Sequence, residues 1–346
     1  MAKRSSKRRS KSSSSRGSAA SQGAAASQAV EAALEPRAAT QLRLRSLSAR
    51  AAEQARARAL PKRLSDKELD KLSPEQVQAY KDRARGAALA PRTRAAKRSA
   101  GLGTIVAEGD SWFDFPVGTD LIDCLRSEHD LEIENFAKAG DTLENMIFGS
   151  QVDKKFNRQA PTIERVLNSI ARIKPKVFLF SGGGNDVAGD ELASFLNHND
   201  SGLPPLRQEY VADLIDNVFR RYLEALIMKV RQAHPATKIV MHGYGQPIPT
   251  GQGVDILFFT FAGPWLKPAL AQKGIPANQH QPLVRSLIDR YNATLARLQQ
   301  SFPGIFHYVD LRAAISPSDW RDELHLKNSA YRRCAALIHQ RLSSLA

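Results

Sequence analysis

From about residue 101 onward the sequence predicts an α/β domain whose parallel sheet is covered on both faces. Three observations carry that prediction. Five short apolar runs rich in β-branched and aromatic residues recur along the chain, and longer segments with helical spacing separate them. Each run also ends in Gly, Asp or Asn, where a strand gives way to a loop.

The runs are TIVAEGDSW (104–112), LEIENFA (131–137), KVFLFSGG (176–183), TKIVMHGY (237–244) and IFHYVDL (305–311). They read as near-continuous apolar stretches and not as alternations, which is the pattern of strands buried on both sides. Helical spacing is clearest over 161–173, 207–233, 282–301 and 327–345. Alternating strand and helix over this length implies parallel strands joined by helical crossovers, with the site beyond their carboxyl ends. The connection 244–281 is too long for a plain turn and holds Phe258, Phe259, Phe261 and Trp265. It is read either as a lid over the site or as a core-packing excursion.

The N-terminal part differs in kind. Residues 1–100 hold 24 Lys and Arg against 8 Asp and Glu, whereas the remainder holds 26 against 27, so the entire excess of +15 lies at this end. Residues 1–35 are Ser, Ala, Lys and Arg with almost no large apolar side chains, the composition of a disordered tail. Residues 36–100 shift to Ala, Leu, Arg and Glu, with helix starts at Ser65 followed by Glu68 and at Ser73-Pro74-Glu75. They are expected to form a basic helical extension that precedes a domain over 101–346. Basic charge without interleaved aromatics suits salt-dependent attraction to an anionic surface or to nucleic-acid phosphates, or simply a solvated tail.

Cys124 and Cys334 stand far apart without metal-ligand spacing, and are read as free thiols. No stretch reaches the roughly 18–20 apolar residues of a membrane span, and the basic start lacks the apolar core of a secretory signal. A cytoplasmic location is therefore expected. Export without a signal, or organellar targeting by the Arg- and Ser-rich opening, stays compatible with the residues.

Chemistry concentrates at the strand ends. Gly109-Asp110-Ser111-Trp112 sets a serine at a strand-to-helix turn, although Phe113 breaks the GxSxG pattern of a nucleophile elbow. Asn135-Phe-Ala-Lys-Ala-Gly140 supplies a glycine where backbone can approach a ligand, and Ser181-Gly-Gly-Gly-Asn185-Asp186 supplies a carboxamide on a glycine-rich loop. Asp322-Glu-Leu-His325 places a carboxylate and an imidazole three residues apart before the last helix. Each segment alone is an ordinary turn or cap.

Together and in this order they resemble the four sequence blocks of the SGNH (GDSL) hydrolase superfamily, over roughly residues 104–340. The central blocks look most like its thioesterase I/lysophospholipase L1 branch. The resemblance implies a flavodoxin-like three-layer α/β/α sandwich with a parallel five-stranded sheet. It also implies a serine esterase with Ser111 as nucleophile, His325 as base and Asp322 as orienting acid. The oxyanion donors would be the Ser111 and Gly140 N–H groups and the Asn185 amide, with no metal or organic cofactor and a small-molecule or lipid ester as substrate. Asp110 and Asp186 are expected to hold loop geometry. Trp112, His242, Phe258 and Trp265 are the candidate substrate contacts, and Phe258, Phe259, Phe261 and Trp265 favour an apolar acyl chain over a sugar acetate. The chain departs from the family pattern at Trp112, where a smaller residue is usual, and at Leu326, where proline commonly follows the histidine.

The sequence admits two other readings. GDSWFD and GND share fragments with metallophosphoesterase blocks, but that chemistry needs DxH and GHxH segments to hold two cations, and the sequence has neither. The chain could instead act as an anionic-surface or nucleic-acid binder built on a hydrolase fold. Nothing in the residues fixes its oligomeric state.

Overall fold

A computed structural model describes residues 101–115, 118–256 and 259–346 of the chain. The tail and helical extension read into residues 1–100 lie outside the described residues.

Five parallel strands form the central sheet: β1 (Ile105–Glu108), β2 (Ile133–Asn135), β3 (Val177–Phe180), β4 (Lys238–His242) and a last strand, Phe306–Val309. Their spatial order is β2-β1-β3-β4-last, each neighbour pair parallel, so the sheet is that of a flavodoxin-like α/β/α sandwich. β1 and β3 are buried at every residue, which is why IVAE and VFLF show no alternation. The chain leaves β1 toward β2 on one side and reaches β3 on the other, opening a crevice at the carboxyl ends of β1 and β3.

Short helices α1 (Leu121–Glu128) and α2 (Leu143–Phe148) follow β1 and β2. Helical spacing does not single them out, because they span only eight and six residues, but their caps fix them. Asp120 accepts the Asp123 N–H at 2.9 Å in a capping box, and Thr142 accepts that of Asn145 at 3.3 Å. α3 (Ile163–Ile173) buries Ile163, Val166 and Ile170, one stripe at helical spacing. α4 (Leu192–Phe195) precedes a long rod made of α5 (Gln208–Ala212), a π-helical stretch (Asp213–Phe219) and α6 (Arg220–Ala233).

Between β4 and the last strand the chain forms an antiparallel hairpin, β5 (Val254–Ile256) with β6 (Phe259–Ala262), then α7 (Lys267–Gln272) and α8 (Ala277–Ser301). The last strand is β7 accordingly. α8 starts five residues before the helix read from spacing and runs through Pro282, the sixth helical residue, which has no N–H to offer the Asn278 carbonyl. The final helix, α9 (Asn328–Ser343), buries Tyr331, Cys334 and Ile338. Cys124 and Cys334 are both buried free thiols. Among the described residues no helix is long and apolar enough to cross a membrane.

Candidate active site

β1 delivers its polar end into the crevice. Gly109 is required where the chain leaves the strand: a Cβ there would lie 2.7 Å from the Cβ of Ser181 on the neighbouring strand end. The next residue, Asp110, is buried and ties the loops together, accepting the Trp112 N–H at 3.0 Å, the Ser181 hydroxyl at 2.8 Å and the Tyr244 hydroxyl. Three strand ends thereby converge on one carboxylate, with Ser111 beside it.

Asp322 and His325 come from a tight loop closed by a bridge between Trp320 and Leu326. The Arg321 N–H donates to the His325 carbonyl at 2.8 Å, and Asp322 Oδ1 accepts the backbone N–H groups of Leu324 and His325, each at 2.8 Å. The imidazole bridges two groups: its Nδ1 lies 2.9 and 3.1 Å from the Asp322 oxygens, and its Nε2 lies 2.8 Å from Ser111 Oγ. All three side chains are buried. Phe115 stacks on the imidazole at 4.2 Å and Trp265 meets it edge-on at 5.5 Å, so the ring's plane is fixed by packing as well as hydrogen bonding.

Gly140 adopts φ +81°, and nothing lies within 4 Å of where its side chain would be. Among the described residues neither the Ser111 nor the Gly140 backbone N–H meets an acceptor. Asn185 is oriented by donating one amide hydrogen to the Asp141 carbonyl at 2.8 Å, which ties it to the Gly140 loop. Asp186 accepts the Leu143 N–H at 2.9 and 3.1 Å and holds the start of α2 against the β3 loop.

Beneath these loops lie two further carboxyls, Glu108 and Asp141, that no local sequence signal marks. Glu108, the fully buried last residue of β1, is held well above the usual carboxylate range by burial and by the nearby charge of Asp141. Burial also raises Asp141 itself, and pushes Asp186 up to about 7. Asp186 keeps partial solvent exposure, so its stability contribution is smaller than that shift alone implies.

Glu323 stands between Asp322 and His325 and carries no local sequence signal of its own. Fully buried, it accepts four backbone N–H groups from the 244–281 connection: Gly251 at 2.8 Å, Trp265 at 2.6 Å, Leu266 at 2.6 Å and Lys267 at 3.1 Å. The last two open α7, where a carboxylate complements the helix dipole. The loop carrying Asp322 and His325 is thus fastened to this connection by one side chain.

A pocket open to solvent lies beside Ser111. Ser111, Trp112 and Asn185 stand on its wall, and Leu192, Leu266, Val284, Leu287 and Ile288 supply apolar lining. Among the described residues the apolar lining thus comes chiefly from α8, with Leu192 of α4 and Leu266 at the start of α7. Trp112 lines the pocket while its Nε1–H donates to the Leu324 carbonyl at 3.1 Å. His242 is buried under Trp112, stacked at 5.3 Å, with Nδ1 bonded to the Gly243 carbonyl at 2.8 Å; it forms no part of the pocket wall. Trp265 faces the imidazole, and Phe258 lies outside the described residues.

Fold and site together describe an α/β/α hydrolase. Residues 105–333 match the model of the GDSL-like lipase/acylhydrolase family, and the chain belongs to that family. Among solved structures it is similar to an extracellular lipase from Streptomyces rimosus (14% identity, 68% of this chain and 98% of that one, TM-score 0.44). It is also similar to a family 3 carbohydrate esterase from Clostridium thermocellum (15% identity, 70% and 96%, TM-score 0.39). A third similar structure is phospholipase A1 from Streptomyces albidoflavus (11% identity, 70% and 100%, TM-score 0.40). The sequence matches no curated protein.

Proposed function

We propose that this hydrolase cleaves carboxylic esters or thioesters with an apolar acyl chain through a Ser111-His325-Asp322 mechanism. The observation that carries the reading is the continuous relay from Ser111 Oγ to Nε2 at 2.8 Å and from Nδ1 to Asp322 at 2.9 Å, at the wall of an apolar pocket.

A serine hydroxyl is a weak nucleophile until a base accepts its proton as it attacks. With the imidazole proton on Nδ1, held by Asp322, Nε2 is free to take the proton of Ser111 while Oγ bonds to the acyl carbon. Asp322 then stabilises the imidazolium and keeps the ring aligned. The carbonyl oxygen gains negative charge in this step. The N–H groups of Ser111 and Gly140 and the free amide hydrogen of Asn185 receive it, and loss of one such donor typically costs about 10²–10³ in turnover. Nε2–H next protonates the leaving alcohol or thiol, whose bond to the acyl carbon breaks. Water, deprotonated by the same nitrogen, releases the acid and restores Ser111.

The test is hydrolysis of p-nitrophenyl esters from acetyl to dodecanoyl by the wild type and Ser111→Ala, with and without EDTA. Activity that persists in EDTA, rises from acetyl toward octanoyl and falls at least about 10³-fold in the variant supports the mechanism. Undiminished activity in Ser111→Ala refutes it, and a monotonic fall from acetyl onward refutes the apolar acyl preference.

A further inference from the structure

Five large apolar side chains stand out in water among the described residues, and two share one small hairpin: Val152 at 52% exposure and Phe156 at 86%, the most exposed of the five. The hairpin follows α2 and is closed by the Val152–Arg158 bridge and by Gln159 N–H donating to the Gln151 carbonyl at 2.8 Å. Its tip reads Asp153-Lys154-Lys155-Phe156-Asn157-Arg158, every residue exposed.

This tip is built. Asp153 Oδ1 accepts the Lys155 N–H at 2.7 Å and the Asn157 N–H at 3.0 Å, and Oδ2 accepts the Asn157 amide at 3.1 Å. Those bonds hold Phe156 at φ +62°, a left-handed conformation that bulky residues rarely adopt and that glycine would occupy without strain. A strained backbone and an apolar ring in water both disfavour phenylalanine here unless the ring has a use outside the folded chain. Among the described residues no carboxylate pairs with Lys154, Lys155 or Arg158, since Asp153 is engaged with the backbone and Asn157.

The hairpin is tied to the site. Asn145 Oδ1 accepts the N–H groups of Ser150 and Gln151 at 3.0 and 3.1 Å, while its Nδ2 donates to Asp141 at 2.6 Å, one residue beyond Gly140. α2 has only six residues, a length of about 9 Å.

We propose that the 151–159 hairpin docks the protein on an anionic lipid surface, Phe156 entering the acyl boundary while Lys154, Lys155 and Arg158 pair with headgroup phosphates. An apolar tip ringed by uncompensated cations is the chemistry such an interface selects, since neither element alone holds firmly. This surface is separate from the catalytic residues, so the inference stands or falls independently of the Ser111 mechanism.

The test uses the full chain and vesicles of equimolar phosphatidylcholine and phosphatidylglycerol. Phe156→Ala should weaken vesicle binding roughly tenfold. Replacing Lys154 and Lys155 together by Gln should weaken it by about 20-fold at low ionic strength, the effect shrinking as salt is added. Hydrolysis of a soluble short-chain ester should be unchanged in these variants, showing that the fold survives. In Phe156→Trp, emission should move to the blue on adding vesicles by more than in the wild type, which reports the location of this side chain whatever the rest of the chain binds. Absence of that shift, or equal vesicle affinity in Phe156→Ala, overturns the proposal and assigns any lipid affinity to other basic segments. Equal weakening of binding to single-stranded DNA and to vesicles by the lysine changes, without the Trp shift, also overturns it in favour of a charge-only surface.

Discussion

Asp322 serves the imidazole and its own loop at once, because one carboxylate takes the ring Nδ1 and two backbone N–H groups. An asparagine keeps most of the loop bonds but presents a donor where Nδ1–H needs an acceptor, which turns the ring to the wrong tautomer. Asp322→Asn should therefore lower kcat by about 10³–10⁴ with the circular dichroism spectrum unchanged. A second carboxyl, Asp186, leads to a different expectation. The unfolded chain releases this proton near pH 4, whereas the folded protein holds it up to about 7. Between those values the folded state binds more protons, so its contribution is full below pH 4 and is lost as pH rises through 7. Asp186→Asn should flatten the decline in urea-unfolding free energy over that window, by an amount on the order of 1–3 kcal/mol after allowing for partial exposure. An undiminished slope would assign the pH dependence to Glu108 and Asp141.

At the scale of elements, the five strands and most long helices were legible because each carries its own period or buried run. α2 and the 244–281 connection were not. A six-residue helix is too short to show a period, and the connection is held by Glu323, whose four partners lie 56 to 72 residues away in sequence. Nothing local distinguishes that glutamate from a turn residue, yet the tight Asp-x-x-His spacing beside it was readable because both side chains sit on one loop. The pocket wall was hidden for a related reason. Val284, Leu287 and Ile288 read as an ordinary apolar stripe, and only the packed fold shows that this stripe faces Ser111 and not a strand. Two outcomes follow. Glu323→Ala leaves four N–H groups without their acceptor and should cost about 3 kcal/mol or more, seen as a lowered melting temperature. Leu287→Trp fills the pocket and should reduce kcat/KM for octanoyl esters by about tenfold or more while acetyl ester hydrolysis changes little. Equal losses on both esters would place the acyl chain elsewhere.

For the whole molecule the relevant quantity is how charge is divided. Residues 1–100 carry 24 basic against 8 acidic side chains and residues 101–346 carry 26 against 27, so the expected long-range attraction to anions and the proposed chemistry fall at opposite ends. Every residue of the proposed mechanism, and the entire pocket wall, lies after residue 109. A chain beginning at residue 101 should therefore hydrolyse soluble p-nitrophenyl esters with kcat/KM within about threefold of the full chain, since uniform loss of a distant charge removes no transition-state contact. Its retention on heparin should fall sharply, because affinity for a polyanion scales with the cations engaged and their released counterions. The salt dependence separates the two parts further. For the full chain the logarithm of the polyanion affinity should fall steeply with the logarithm of salt concentration, and for the shortened chain it should be nearly flat. Ester hydrolysis should be insensitive to salt in both. If shortening instead abolishes soluble-ester hydrolysis while the circular dichroism spectrum keeps its α/β form, the basic segment contributes to the site, and the division between an anion-binding end and a catalytic domain is wrong.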